Sequence, residues 1–281
     1  MKLGALDEAF RVLKHRRRLK RAKSELATRR LAPRAHGLET ELVISLTSFP
    51  PRYPSLHLTL SCLLKQSIAP DRVLLWIAEG DLSAVPSKVR ALEAQGLEIR
   101  SCEDRRSYKK LLFTLEELPE ATIVTADDDV YYGPDWLERI VETHRTSRSK
   151  VVSGRAHRIR CDAEGLPLPY EDWEANTAAA DRSGLIFPTG VSGVLYAPGC
   201  FDARVLDWAL ANRLCPSADD VWFYWMHRLT GAEAQTLPGS TRILEWERDP
   251  QNGLRQQNVQ GGNDRAMAAM IAEFGFPAPG R

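Results

Sequence analysis

The chain has 281 residues, 43% hydrophobic and 27% charged, enough for one large α/β domain or two small ones. Its formal net charge is +1, yet residues 1–41 hold twelve Lys/Arg against five Asp/Glu, so the remainder is acidic. An acidic body without an RNA- or DNA-binding motif argues against nucleic acid as a partner, and no apolar run is long enough to cross a bilayer. The first residues lack the apolar core and cleavage site of a signal peptide, and the five cysteines are widely spaced and odd in number. A cytoplasmic protein without disulfides is the expectation.

Residues 1–41 read as a separate basic arm. Leu3, Leu6, Phe10 and Leu13 recur at helical spacing and lead into Lys14-His15-Arg16-Arg17-Arg18-Leu19-Lys20-Arg21. Such a segment suits an amphipathic helix lying on an anionic membrane surface, which would make the protein peripheral to the inner face of the membrane, or equally a solvated arm.

From residue 42 the pattern alternates. Leu42 to Leu46 is a buried strand, and Leu56, Leu60, Leu63 and Leu64 mark a helix stripe. Arg72 to Ala78 is a second strand, Leu82 to Ala94 a helix, and Leu97 to Ser101 a third strand. Tyr108 to Leu118 is the next helix, with Arg105, Arg106, Lys109 and Lys110 clustered at its start; Lys109 is the preferred functional member. A β-α-β-α-β-α-β order predicts a mostly parallel sheet with ligands gathered at the carboxyl ends of its strands. Neither Gly-x-Gly-x-x-Gly nor a Walker loop follows the first strand, so a dinucleotide dehydrogenase and a P-loop enzyme are disfavoured.

The fourth strand, through Ile123 and Val124, delivers Asp127, Asp128 and Asp129. Adjacent carboxylates repel unless a cation offsets them, and hard cations such as Mn²⁺ or Mg²⁺ take carboxylate and phosphate oxygens. The plainer reading is an acidic turn before the helix that Gly133-Pro134-Asp135 would open. Residues 161–183 are polar and proline-containing, a lid or a short helix. Pro188 to Tyr196 carries Gly190 and Gly193, whose missing side chains would let backbone approach a ligand. Asp219 and Asp220 then open a helix through Val221, Trp222, Trp225, Met226 and Leu229, with Ser217 a candidate capping residue. His227 on that helix reads as packed rather than as a metal ligand. The tail holds the Gln251-Asn252-Gly253 and Gly261-Gly262 loops and an apolar helix with Met267, Met270, Ile271 and Phe274.

Taken together, TSFPPR at Thr47 to Arg52, DDD at Asp127 to Asp129, PTGVSGVLY at Pro188 to Tyr196 and ADDVW at Ala218 to Trp222 resemble a glycosyltransferase of the GT-A fold, similar to family 2 enzymes of bacterial surface polysaccharide synthesis. The resemblance covers residues 42–275. It implies a single compact α/β domain at 42–281, with a Rossmann-like nucleotide-sugar half at 42–132 and an acceptor half at 133–281. It further implies a nucleotide-diphosphate sugar donor, with UDP-sugars first among the candidates, and Asp127 and Asp129 holding Mn²⁺ or Mg²⁺. Thr47 and Arg52 would lie beside the nucleotide, Asp128 against ribose or sugar, and Lys109 near the phosphates. Asp220, with Asp219 as the fallback, would be the base of an inverting reaction on a glycan or glycolipid hydroxyl. Gly190, Gly193 and Trp222 would line the substrate side. LTSFP replaces the acidic residue that commonly reads uracil. A sugar nucleotidyltransferase and a non-catalytic scaffold of the same fold are the alternatives.

Overall fold

A computed structural model of the chain describes residues 2–178, 184–239, 243–246 and 261–277. The elements follow the apolar patterning in chain order. The helix α1 (Lys2–Thr28) and the short strand β1 (Arg34–Ala35) precede the buried strand β2 (Leu42–Thr47), helix α2 (Tyr53–Leu63), short strand β3 (Ile68–Ala69) and strand β4 (Arg72–Ala78). Helix α3 (Ser87–Arg90), β5 (Leu97–Cys102), α4 (Lys109–Glu117), β6 (Thr122–Thr125), α5 (Trp136–Ser147), β7 (Val151–Ser153) and β8 (Ala156–Arg158) follow. The described elements end with β9 (Ile186–Pro188), β10 (Val194–Tyr196), α6 (Trp208–Leu214), α7 (Asp219–Arg228), β11 (Ala234–Thr236) and α8 (Asn263–Phe274).

The central sheet has seven strands in the order β11-β7-β10-β6-β2-β4-β5. All neighbours are parallel except β10, which runs antiparallel between β6 and β7. Alternate residues of β2 feed opposite faces. Val43 joins Tyr108, Leu111, Trp222 and Met270 under α4, α7 and α8, while Leu42, Ile44 and Leu46 join Leu56, Leu60, Leu137 and Ile140 under α2 and α5. Both faces of the sheet are therefore covered, which is why its strands read as near-continuous apolar runs. Each such side chain contributes about 1.5–3 kcal/mol on full burial.

Two expectations about local structure need correction. The helix expected over Leu82 to Ala94 is broken into a 3-10 turn at Glu79–Ala84, the short α3, and a second turn at Glu93–Gln95. Pro86 supplies no N–H to a continuous ladder, and Gly96 in the left-handed region ends the segment. Ser217 does not cap α7: Ala218 is its N-cap, and no side chain closes that end.

The basic segment is helical, and its end belongs to the packed domain. Ala22 and Leu26 are buried, and the Arg29 guanidinium donates to the carbonyls of Lys65 at 3.1 Å and Tyr132 at 3.1 Å while forking onto Glu25. One buried cation thus ties α1 to α2 and to the chain just after the acidic triplet. Residues 161–178 are pinned by Tyr170 and Trp173, whose rings pack on Phe187. The rest of the expected lid, residues 179–183, and the Gln251-Asn252-Gly253 loop lie outside the described residues. All five cysteines are free thiols.

Candidate functional site

Parallel strands end on the same side of a sheet, so β2 and β6 deliver Thr47-Ser48 and Asp127-Asp128-Asp129 to one crevice. Ser48 Oγ donates to Asp128 Oδ2 at 2.5 Å, which joins the two strand ends directly. Arg52, one turn further on, places its guanidinium 2.7 Å from Asp129 Oδ2. The Asp127 N–H donates to the buried Tyr132 hydroxyl at 2.8 Å, which fixes the backbone of the triplet.

The other wall comes from later in the chain. The turn between β9 and β10 brings the Gly190 N–H to Asp220 Oδ2 at 3.0 Å, and Asp219 and Asp220 are the first two residues of α7. That bond, rather than a capping box, is what holds the Asp220 carboxylate. Gly190 is closely approached: a Cβ there would stand 3.0 Å from both Asp220 Oδ1 and Lys110 Nζ, the mobile ends of two side chains. Gly193 serves a different purpose, with φ +88° and a Cβ position 2.5 Å from the Trp136 ring, whose Nε1 donates to Ser192 O at 2.8 Å.

Of the basic cluster at the start of α4, the member that faces the crevice is not the preferred Lys109 but Lys110. Its ammonium is 3.2 Å from Asp219 Oδ2, an ion pair whose alignment does not amount to a hydrogen bond, and it also acts electrostatically on Asp127 and Asp220. Lys109, the expected member, is buried and instead pairs with the exposed Asp104 at 2.6 Å. Consecutive helix positions differ by about 100°, so only one of the two lysines can face the crevice. A signal was present: Lys110 and Thr114 are four apart on α4, and Thr114 is buried against Ser45 and Trp76, so this polar pair faces the sheet. Arg105 pairs with Glu103 and Glu116, and Arg106 donates to the Pro216 carbonyl at 2.7 Å.

Trp222 does not line the crevice. Its ring is fully buried, and its indole N–H donates to Val205 O at 3.0 Å, so it supports α7 from the core side. Thr47 is at the strand end as expected, its hydroxyl donating to Trp76 O at 2.8 Å. His227 is fully buried, with Nδ1 at 3.0 Å from Ala232 O, and burial holds its pKa down to about 3.

Five carboxylates thus meet two cations, Lys110 and Arg52, and the electrostatics follow. Desolvation pushes Asp127 up to about 6, with Asp129 and Asp219 adding to it and Lys110 opposing it. Asp128 is pushed up to about 7 by desolvation and by Asp129. Asp220 is pushed up to about 7 by desolvation and Asp219, against Lys110 and the Gly190 N–H. Asp129 is also raised, chiefly by desolvation, with Arg52 opposing. Asp127 Oδ2 is enclosed without a hydrogen-bond partner. Hard oxygen donors, excess negative charge and an orphaned carboxylate oxygen fit a divalent cation. Among the described residues no three Asp, Glu, His or Cys side chains form a ready cation cage. A cation held by two carboxylates and completed by substrate phosphate and water needs none.

No protein-family model and no curated protein matches the sequence. Solved structures do match. A mannosyltransferase from Pyrobaculum calidifontis, in complex with GDP-Man and Mn²⁺, aligns at TM-score 0.50 and 15% identity over 93% of this chain and 84% of that one. S. aureus TarS 1–349, in complex with UDP-GlcNAc, aligns at TM-score 0.49 and 11% identity over 82% and 66%. A 4-diphosphocytidyl-2C-methyl-D-erythritol synthase aligns at TM-score 0.44 and 14% identity over 80% and 98%. The first of these likenesses, with the sheet order and the three-layer core, gives a GT-A-type fold.

Proposed function

We propose that the chain is a metal-dependent glycosyltransferase that moves a sugar from a nucleotide-diphosphate donor to a hydroxyl acceptor with inversion. The observation that carries the reading is the crevice in which Asp127, Asp128 and Asp129 face Lys110, Asp219 and Asp220 at the carboxyl ends of β2 and β6. Asp127 and Asp129 are the residues that would hold Mn²⁺ or Mg²⁺, and Arg52 pairs with Asp129 beside them. Bound there, the cation would supply Lewis-acid stabilisation of charge on a diphosphate.

Each of the chain's own groups then has a task. Lys110 keeps Asp219 in place and contributes positive potential where the leaving group gains negative charge. Asp128, held by Ser48, is placed to accept a hydroxyl of ribose or sugar, and Thr47 lies at the nucleotide end of the crevice. Asp220 is the base. Its carboxyl is oriented by the Gly190 N–H and raised to about 7, so it can take the acceptor proton near neutral pH as the oxygen attacks. Asp219, paired with Lys110, is the weaker candidate because its negative charge is already engaged. The missing side chain at Gly190 lets Asp220 and Lys110 lie close against the backbone there. The acceptor class is a glycan or glycolipid of surface polysaccharide synthesis, and the donor class a UDP-sugar before others.

Calorimetric titration of UDP, GDP and CMP, with Mn²⁺ and with chelator, tests the reading. Metal-dependent binding of one nucleotide is expected, with release of the nucleoside diphosphate during turnover. Release of pyrophosphate instead would identify a nucleotidyltransferase, and no binding by folded protein would leave a scaffold.

A further inference from the structure

Helix α1 presents two opposed faces. Ala22 and Leu26 are buried against the domain, and Arg29 fastens that end. At 100° per residue, Phe10 and Leu13 lie roughly 170° around the helix from that docked face. They are 65% and 47% exposed. Lys14, Arg17, Lys20 and Arg21 share their side, within a sector roughly 120° wide centred on Arg17, and all four are exposed. No acidic residue between positions 10 and 24 interrupts the helix. Among the described residues no ion pair engages any of these four cations.

We infer that this outward face of α1 is a docking surface for an anionic lipid bilayer, with Phe10 and Leu13 entering the interface and Lys14, Arg17, Lys20 and Arg21 meeting the headgroups. Charge selects the occupant. A surface of many mobile negative headgroups satisfies four cations spread over about two turns of helix, while the two apolar side chains at the distal end require an apolar layer beside that charge. No helix of the described residues is long and apolar enough to cross a membrane, so the contact is peripheral. Arg29 couples the helix to Tyr132, three residues past Asp129, so the chain that bears the acidic triplet is fastened to the element that lies on the lipid. The inference does not rest on the glycosyltransferase reading, and its test does not use turnover.

The experiment is co-sedimentation of the full chain with phosphatidylcholine vesicles and with vesicles containing 30 mol% phosphatidylglycerol, at low and high salt. Binding to the anionic vesicles alone, weakened by salt, is expected. Arg17→Gln with Arg21→Gln should weaken it about 30-fold, since each cation near an anionic surface contributes about fivefold. Phe10→Ser with Leu13→Ser should weaken it further, with the circular dichroism of both variants unchanged. Equal binding to both vesicle types, no binding to either, or loss of a dimer in light scattering on Phe10→Ser/Leu13→Ser would overturn the inference, the last by making the occupant a second copy of this chain.

Discussion

Lys110 Nζ lies 3.2 Å from Asp219 Oδ2, and this pair sits where the two halves of the crevice face each other. Both side chains are largely buried, so removal of one leaves the other charge without its partner in a poorly solvated place. Lys110→Met is expected to lower folding stability by about 3–5 kcal/mol and to remove turnover, and Lys110→Arg to recover most of the stability. Urea denaturation of the two variants checks this. Lys109→Met, by contrast, breaks a pair whose carboxylate is largely exposed and should leave turnover near wild type.

Asp127→Asn should act in opposite directions on fold and binding. Because desolvation favours the neutral form of Asp127, an uncharged isostere relieves the metal-free protein. A gain of about 1–3 kcal/mol at pH 8 with chelator present is expected. Metal-dependent nucleotide affinity should fall at least about tenfold, each tenfold being about 1.4 kcal/mol. Equal affinity for the variant and the parent in titration calorimetry would remove Asp127 from the proposed cation site.

The same carboxylates set a pH dependence of unusual sign. Asp128 and Asp220, at about 7, and Asp127, at about 6, keep protons in the folded state that the unfolded chain releases at an ordinary 3.8. Their contribution is fully present below that value and is lost as pH rises through 6 to 7. His227 opposes them: buried neutral at about 3, it costs stability as pH falls below its ordinary 6.5. Three groups outweigh one, so metal-free stability should decline between pH 5 and 7.5 by on the order of 1 kcal/mol per pH unit. Saturating Mn²⁺ with nucleotide should flatten or reverse that slope, and binding at pH 6.5 should release protons, measurable by calorimetry in buffers of different ionisation enthalpy.

Gly190 and Gly193 separate site from scaffold. At Gly193 a Cβ would meet the Trp136 ring at 2.5 Å and Thr125 O at 2.9 Å with φ at +88°, so Gly193→Ala should cost about 3 kcal/mol or more. At Gly190 the added carbon meets only the ends of Asp220 and Lys110. Gly190→Ala should keep the fold within about 1 kcal/mol while reducing turnover at least about tenfold. Thermal melts beside initial rates distinguish the two.

Local patterning carried much of this protein. The apolar runs of β2, β4 and β6 and the stripes of α2, α4 and α7 were legible because strand and helix periods are short-range properties. So was the delivery of Asp127 and Thr47 to one crevice, since parallel strands with right-handed crossovers end on one side. Only the tertiary structure decided which charges meet. Lys109 and Lys110 are alike in sequence, and a 100° step on α4 sends one to Asp104 and the other to Asp219. The family resemblance puts Trp222 on the substrate side, yet the packing of α7 against α8 and the turn at Ala203–Leu206 takes its ring inward to Val205. Asp220 was expected under a capping serine and is held instead by the Gly190 N–H, thirty residues away in sequence. Periodicity fixes which side of an element is apolar, but the partner of a charge is set by long-range packing and desolvation, which no local pattern encodes.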